Sequence, residues 1–158
     1  MKNIVVLLSA ICLVALASCG PNYIYQQEKQ MENGVWTYRD SAVFEFDVQD
    51  TAFLYNLYFN LAAREEFPYE NLYVYLHTVF PDGKRMGKVH SFDVFDRQGK
   101  ILGTSSGDVR QQHIMLQENT FFNQKGKYRI VVEQYMRQDS LPNVVSVGLD
   151  IEQKKDKK

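Results

Sequence analysis

A chain of 158 residues, with 18 lysines and arginines against 19 aspartates and glutamates, is close to electroneutral, which excludes the general electrostatic footprint of a nucleic-acid binder. Its length suits one domain. One tryptophan, ten tyrosines and ten phenylalanines make an aromatic excess that a core or a binding face must absorb.

The chain opens Met1-Lys2-Asn3 and then runs apolar from Ile4 to Ala17, 14 residues broken only by Ser9. A helix that crosses a bilayer needs roughly 20 such residues. A short apolar core behind a single positive charge reads instead as an export signal. Leu16-Ala17-Ser18-Cys19 resembles the bacterial lipobox, in which a branched apolar residue and two small residues precede a cysteine. The small residues let the signal peptidase grip the backbone, and the thiol takes a diacylglycerol group as a thioether. The expectation is that residues 1–18 are removed. Cys19 then becomes a lipidated N-terminus whose amide carries a further acyl chain such as palmitate, and no cofactor is expected beyond this covalent lipid. Cys12 leaves with the signal. The mature chain of about 140 residues therefore has no internal disulfide and must be held by a packed core.

Residues 19–39 are polar and lack a sustained period. They read as a tether between lipid and domain, its later part laid on the domain. Gln26-Gln27-Glu28-Lys29-Gln30 has the composition of a helical turn, and Asn33-Gly34 marks a chain reversal. Trp36, at the entrance to the domain, reads as a packing anchor, because burying so large a ring outweighs most local preferences.

From Ser41 the period changes to two. Phe44, Phe46 and Val48 share one face of Ala42–Val48, with Glu45 and Asp47 opposite. Tyr55, Leu57, Phe59 and Leu61 alternate with Asn56, Tyr58 and Asn60. Leu72, Val74, Leu76 and Phe80 alternate with Tyr73, Tyr75 and His77. Pro81-Asp82-Gly83-Lys84 is a turn by composition. Val89–Phe95 is a weaker strand, Asp96-Arg97-Gln98-Gly99-Lys100 turns again, and Ile101–Thr104 is a short strand. Gly107–Asn119 fits two periods. A strand through His113–Gln117, with Gln112, Ile114 and Leu116 on one face, is the preferred reading. Phe121-Phe122 is assigned to the core before a turn at Lys125-Gly126. Tyr128, Ile130, Val132 and Gln134 alternate with Arg129, Val131 and Glu133, and Val145, Val147, Leu149 and Ile151 alternate with Ser146, Gly148, Asp150 and Glu152. About eight half-buried strands with no convincing long helix predict an all-β, antiparallel sandwich over residues 40–153, jelly-roll or immunoglobulin-like. Residues 154–158 read as a basic, disordered tail.

The chemistry-bearing residues do not converge. His77, His90 and His113 sit on separate predicted elements without ligand spacing, and no catalytic residue is assigned. Asp47, Asp50, Asp93 and Asp96 flank strand ends, but their spacing matches no calcium loop, so no metal site is assigned. Asp96-x-x-Gly99 reads as a turn. Tyr58, Tyr73 and Tyr75 fall on the outer faces of consecutive strands. If those strands pair, the three rings form an exposed patch suited to a partner protein or, as an alternative, to carbohydrate.

The lipobox cysteine, Phe44-Glu45-Phe46, Tyr55-Asn56-Leu57-Tyr58, Asn71-Leu72-Tyr73, Pro81-Asp82-Gly83, Glu133-Gln134-Tyr135-Met136-Arg137, Leu141-Pro142 and Val147-Gly148-Leu149 together resemble, in order, the gliding-motility lipoprotein GldH family of the Bacteroidetes. The family often has an aromatic after the turn glycine, where this chain has Lys100-Ile101. The resemblance implies a non-enzymatic envelope lipoprotein associated with gliding and with the linked type 9 secretion machinery, supporting the assembly or stability of partner lipoproteins. It supplies no catalytic residues, and only Cys19 carries over as a functional position. In this phylum, surface export resembles a rule requiring early acidic residues. Here Gly20 follows the cysteine and no acid precedes Glu28. The expectation is attachment through the lipid anchor to the outer membrane, facing the periplasm.

Overall fold

Alternating side chains bury one face of a strand against a second sheet, and here they build two such layers. The computed structural model describes residues 20–157, with side chains through Lys155; the expected signal peptide, residues 1–18, and Cys19 lie outside the described residues. Among the described residues eleven strands follow in order: β1 Asn22–Gln30, β2 Val35–Thr37, β3 Ala42–Val48, β4 Phe53–Arg64, β5 Asn71–Val79, β6 Arg85–Asp93, β7 Thr104–Ser106, β8 Val109–Thr120, β9 Gly126–Gln134, β10 Ser140–Pro142 and β11 Val144–Lys157. One sheet has the order β1-β11-β4-β8-β7 and the other β3-β9-β5-β6, while β2 and β10 pair as a short ribbon. Every pairing is antiparallel. The fold is therefore the expected all-β antiparallel sandwich, and no α-helix occurs among the described residues.

The core forms where the two inner faces meet. Phe44, Phe46, Leu72, Val74, Tyr128, Ile130 and Val132 come from the four-stranded sheet. Tyr55, Leu57, Phe59, Leu61, Val147, Leu149 and Ile151 come from the five-stranded one. Aromatic rings interlock within and between the layers. Across the gap Phe59 stacks on Phe92 with centroids 5.0 Å apart, Tyr55 meets Phe122 of the β8–β9 loop edge-on at 5.0 Å, and within the four-stranded sheet Phe46 stacks on its paired neighbour Tyr128 at 5.7 Å. Of the pair Phe121-Phe122, only Phe122 is buried. Trp36 is fully buried, and its indole N–H donates to the Asp40 carbonyl at 2.8 Å.

The turns form as composition predicts. Gly83, at φ +82°, donates to the Phe80 carbonyl, and Gly99, at φ +77°, donates to that of Asp96. The Asp96 carboxylate accepts the backbone N–H groups of Gln98 and Lys100.

Four expectations need correction. The stretch read as a tether, 19–39, contains a full edge strand. Tyr23 pairs with Glu152 and Tyr25 with Ile151, so Ile24 is the extra residue of a β-bulge. The bulge turns Tyr23 to the outer face beside His113 and Tyr25 to the inner face beside Phe46. That phase slip erases the period-two signal. Second, the helical turn expected at Gln26–Gln30 is part of this same strand, held extended by its ladder with β11. Third, the tail read as disordered continues β11 to Lys157, which pairs with Phe53; Lys158 lies outside the described residues. Fourth, the short strand expected at Ile101–Thr104 shifts to Thr104–Ser106, and Ile101 makes only an isolated bridge to Phe95.

Candidate interaction surface

The sequence placed Tyr58, Tyr73 and Tyr75 together on condition that their strands pair. They do not. β4 lies in the five-stranded sheet and β5 in the four-stranded one, so the chain crosses the sandwich between Tyr58 and Tyr73, and Tyr58 faces the opposite side of the molecule. There it belongs to a polar network. Its hydroxyl donates to Glu152 Oε2 at 2.9 Å, the Asn56 amide donates to the same oxygen at 3.0 Å, and the ring stacks on His113 with centroids 4.1 Å apart. Burial pushes the Tyr58 phenol pKa up. His113 Nδ1 lies 2.7 Å from Asn60 Oδ1 and 3.6 Å from the buried Asp150 carboxylate, which also accepts from Gln26 at 3.2 Å. These side chains satisfy one another.

Tyr73 and Tyr75 do share a surface, on the outer face of the four-stranded sheet. Tyr75 lies across Gly87 of the neighbouring edge strand, where any Cβ would run into its ring. On its other side it meets Tyr135, with centroids 6.2 Å apart. Tyr38, Tyr69, Tyr73, Val89, Tyr135 and Met136 line a groove of about 860 Å³, with Arg137 and Gln138 at its rim. Tyr38, Tyr135 and Tyr73 are 64%, 58% and 40% exposed. Exposed rings with polar tips beside one guanidinium are the composition of a recognition surface.

The groove is built by the connections around it. After β9 the backbone N–H of Tyr135 donates to the Tyr73 carbonyl at 2.8 Å, continuing the pairing one residue past the strand. The thioether sulfur of Met136 accepts the N–H of Tyr73 at 3.3 Å. The buried Gln134 side chain donates to the Gln138 carbonyl at 2.8 Å and accepts the Met136 N–H at 2.9 Å, which holds the loop in shape. Tyr38 donates its N–H to the Asp139 carbonyl at 2.7 Å, bringing the β2–β3 connection against the same loop. Tyr38, Tyr69 and Tyr135 lie 31 and 66 residues apart along the chain, and only the fold assembles them. The single local signal was the turn-rich stretch after Gln134.

The remaining candidate residues stay apart. His77 is on the outer face of β5, His90 on β6 and His113 on β8. Among the described residues no three His, Cys, Asp or Glu side chains are grouped to hold a metal ion, and no helix is long and apolar enough to cross a membrane.

The comparisons with known proteins agree on a family. A profile of the GldH lipoprotein family matches residues 23–151, nearly all of the described sandwich. The chain is 28% identical over 148 residues to the gliding motility lipoprotein GldH homolog of Christiangramia forsetii, covering 89% of this chain and 90% of that protein. It is also 28% identical over 161 residues to the gliding motility lipoprotein GldH of Flavobacterium johnsoniae, covering 97% and 98%. Likeness to solved structures is slight. Dimeric latent PorU from Porphyromonas gingivalis aligns at a TM-score of 0.37 and 9% identity, over 86% of this chain and 14% of that one. On the profile match across the sandwich, the chain belongs to the GldH lipoprotein family.

Proposed function

We propose that this protein is a non-enzymatic lipoprotein of the cell envelope that supports the assembly or stability of the gliding-motility and type 9 secretion machinery by docking partner lipoproteins. The observation that carries the reading is the family match over 23–151, directly behind a lipobox at Leu16–Cys19. Cys19 carries the lipid, residues 1–18 are removed, and the anchor holds the sandwich at the outer membrane, facing the periplasm. The tyrosine groove is the docking surface, because it is an aromatic depression beside a sheet face in which Tyr38, Tyr73 and Tyr135 stay exposed. Affinity capture of the intact lipoprotein from detergent-solubilised membranes is expected to recover other envelope lipoproteins of that machinery, and deletion of the gene to lower their levels. Recovery of none, with every envelope protein at its normal level after deletion, sinks the reading. Labelling of the protein on intact cells by a membrane-impermeant reagent contradicts the periplasmic orientation.

The groove also favours a second reading, a carbohydrate-binding module, since exposed tyrosines can stack on sugar faces. Glycan-array binding that is lost on Tyr73→Ala supports this alternative. Absence of binding to any glycan removes it.

A further inference from the structure

The start of β1 and the end of β11 are held side by side. Asn22 pairs with Gln153 and Tyr23 with Glu152, so Lys154 and Lys155 leave the ladder where Pro21 and Gly20 enter it. Gly20, Pro21, Asn22, Phe53, Lys154 and Lys155 line one depression of about 620 Å³. The same end of the sandwich carries the loop after β8, because Thr120 pairs with Tyr55 at the start of β4. It also carries the β5–β6 turn, because Gln124 donates to Asp82 at 3.2 Å.

The charges at this end are unevenly satisfied. Asp82 takes Lys84 at 3.1 Å and the Gln124 amide at 3.2 Å, Asp50 caps the N–H of Ala52 at 2.8 Å, and Asp47 stands opposite Lys127 in the β3–β9 ladder. Asp156 interrupts the lysine run along β11. Lys125, Lys154 and Lys155 form no ion pair among the described residues. Phe121, in the same loop as Lys125, is 50% exposed.

Cys19 is one residue ahead of Gly20. Three residues reach roughly 10 Å at full extension, so a lipid on Cys19 holds the first pair of the β1–β11 ladder about one Debye length from the bilayer at physiological salt. Lysines at that height are attracted to anionic headgroups.

We propose that this end of the sandwich is a membrane-contact surface. Lys125, Lys154 and Lys155 bind anionic lipid headgroups of the same bilayer that holds Cys19, with Phe121 at the headgroup level. The proposal rests on the acylation of Cys19 proposed above. It gives the sandwich a fixed attitude. β5 runs from Tyr73 to Val79 toward the membrane end, so the tyrosine groove stands roughly 20 Å along the strand away from it, turned toward partners in the surrounding space.

The test uses the intact lipoprotein in nanodiscs of phosphatidylethanolamine, with and without phosphatidylglycerol, after mass spectrometry of Cys19. Hydrogen exchange is followed in peptides covering 119–126 and 150–157. Anionic lipid is expected to slow exchange in both. High salt should remove the difference, and so should Lys125→Gln, Lys154→Gln and Lys155→Gln together; Arg137→Gln at the groove should leave it in place. The lipid and salt comparisons need no substitution, so they stand even if the triple variant misfolds. Equal exchange of the acylated protein in both discs overturns the proposal and leaves the lipoprotein reading intact. The same slowing by inorganic phosphate in discs without phosphatidylglycerol shows an ion site and also overturns it. An unmodified Cys19 overturns both readings.

Discussion

The side-chain amide of Gln134 donates to the backbone carbonyl of Gln138 at 2.8 Å. Its oxygen accepts the Met136 N–H at 2.9 Å from the other side, so one buried side chain clamps the loop that forms a wall of the tyrosine groove. Gln134→Ala leaves both backbone groups without that partner. The expected loss is about 0.5–1.5 kcal/mol of stability for each hydrogen bond removed, since both freed groups lie on a partly exposed loop. Chemical denaturation should report it, with a matching loss of partner recovery. Unchanged stability would mean that the loop is held by the Tyr135 and Tyr38 backbone bonds alone.

Tyr38 and Tyr135 are largely exposed and carry no core packing, so alanine at either should change folding stability by less than about 0.5 kcal/mol. An aromatic anchor in an interface contributes on the order of 2 kcal/mol or more. Tyr38→Ala and Tyr135→Ala are therefore expected to lower recovery of envelope partners at least about tenfold at equal protein levels, whereas Tyr58→Phe, on the opposite sheet, keeps it. Equal recovery by all three moves the docking surface elsewhere.

Gly148 faces outward on β11 between β1 and β4. A Cβ there would meet the Gln27 carbonyl oxygen and the Glu28 side chain at 2.9 Å and Asn60 Cβ at 3.2 Å. Gly148→Val must push the edge strand away from its partner. The expected cost is about 1–3 kcal/mol, with faster amide exchange along Asn22–Gln30 than along β9. Uniform destabilisation of both sheets argues against this local cause.

Phe59 is fully buried and stacks on Phe92 across the sandwich at 5.0 Å. Removing the ring is expected to cost about 3–5 kcal/mol, a large share of the roughly 5–15 kcal/mol available to a domain. The melting temperature of Phe59→Ala should fall accordingly, while Phe121→Ala, half exposed, should scarcely move it.

His90 adds a pH dependence. Its ring stacks on Phe92 at 5.9 Å, and burial, with a smaller contribution from the nearby Lys88 charge, holds its pKa below the ordinary 6.5. Between the folded value and 6.5 the unfolded chain binds more protons, so stability falls as pH drops through that window and levels off below it. Denaturation midpoints followed from about pH 7 to pH 5 should show a shallower decline in His90→Gln than in the unsubstituted protein. Identical slopes assign the decline to other groups.

Period-two alternation was readable along β3, β4, β5, β9 and β11 because which face a side chain takes is a local property of an extended backbone. The inner residues Phe44, Phe59, Val74, Ile130 and Leu149 were named from it, and so was the polar Gln134 among them. Alternation fails where the backbone slips phase, as at the Ile24 bulge, or where polar side chains fill an edge strand whose order comes from its partner β11. The basic end of β11 failed for the same reason. Its lysines carry no burial signal, and pairing with Phe53 orders the backbone.

Strand faces, the turns at Gly83 and Gly99, the buried Trp36 and an all-β antiparallel class were legible along the chain, because they depend on near neighbours. Which sheet each strand joins was not legible there and emerges from the packed fold. Strand pairing is a long-range choice among many similar hydrogen-bonding edges, settled by how two whole faces pack. That choice sent Tyr58 to one side of the molecule and Tyr73 and Tyr75 to the other. It also brought Tyr38, Tyr69 and Tyr135 from distant segments to complete the groove.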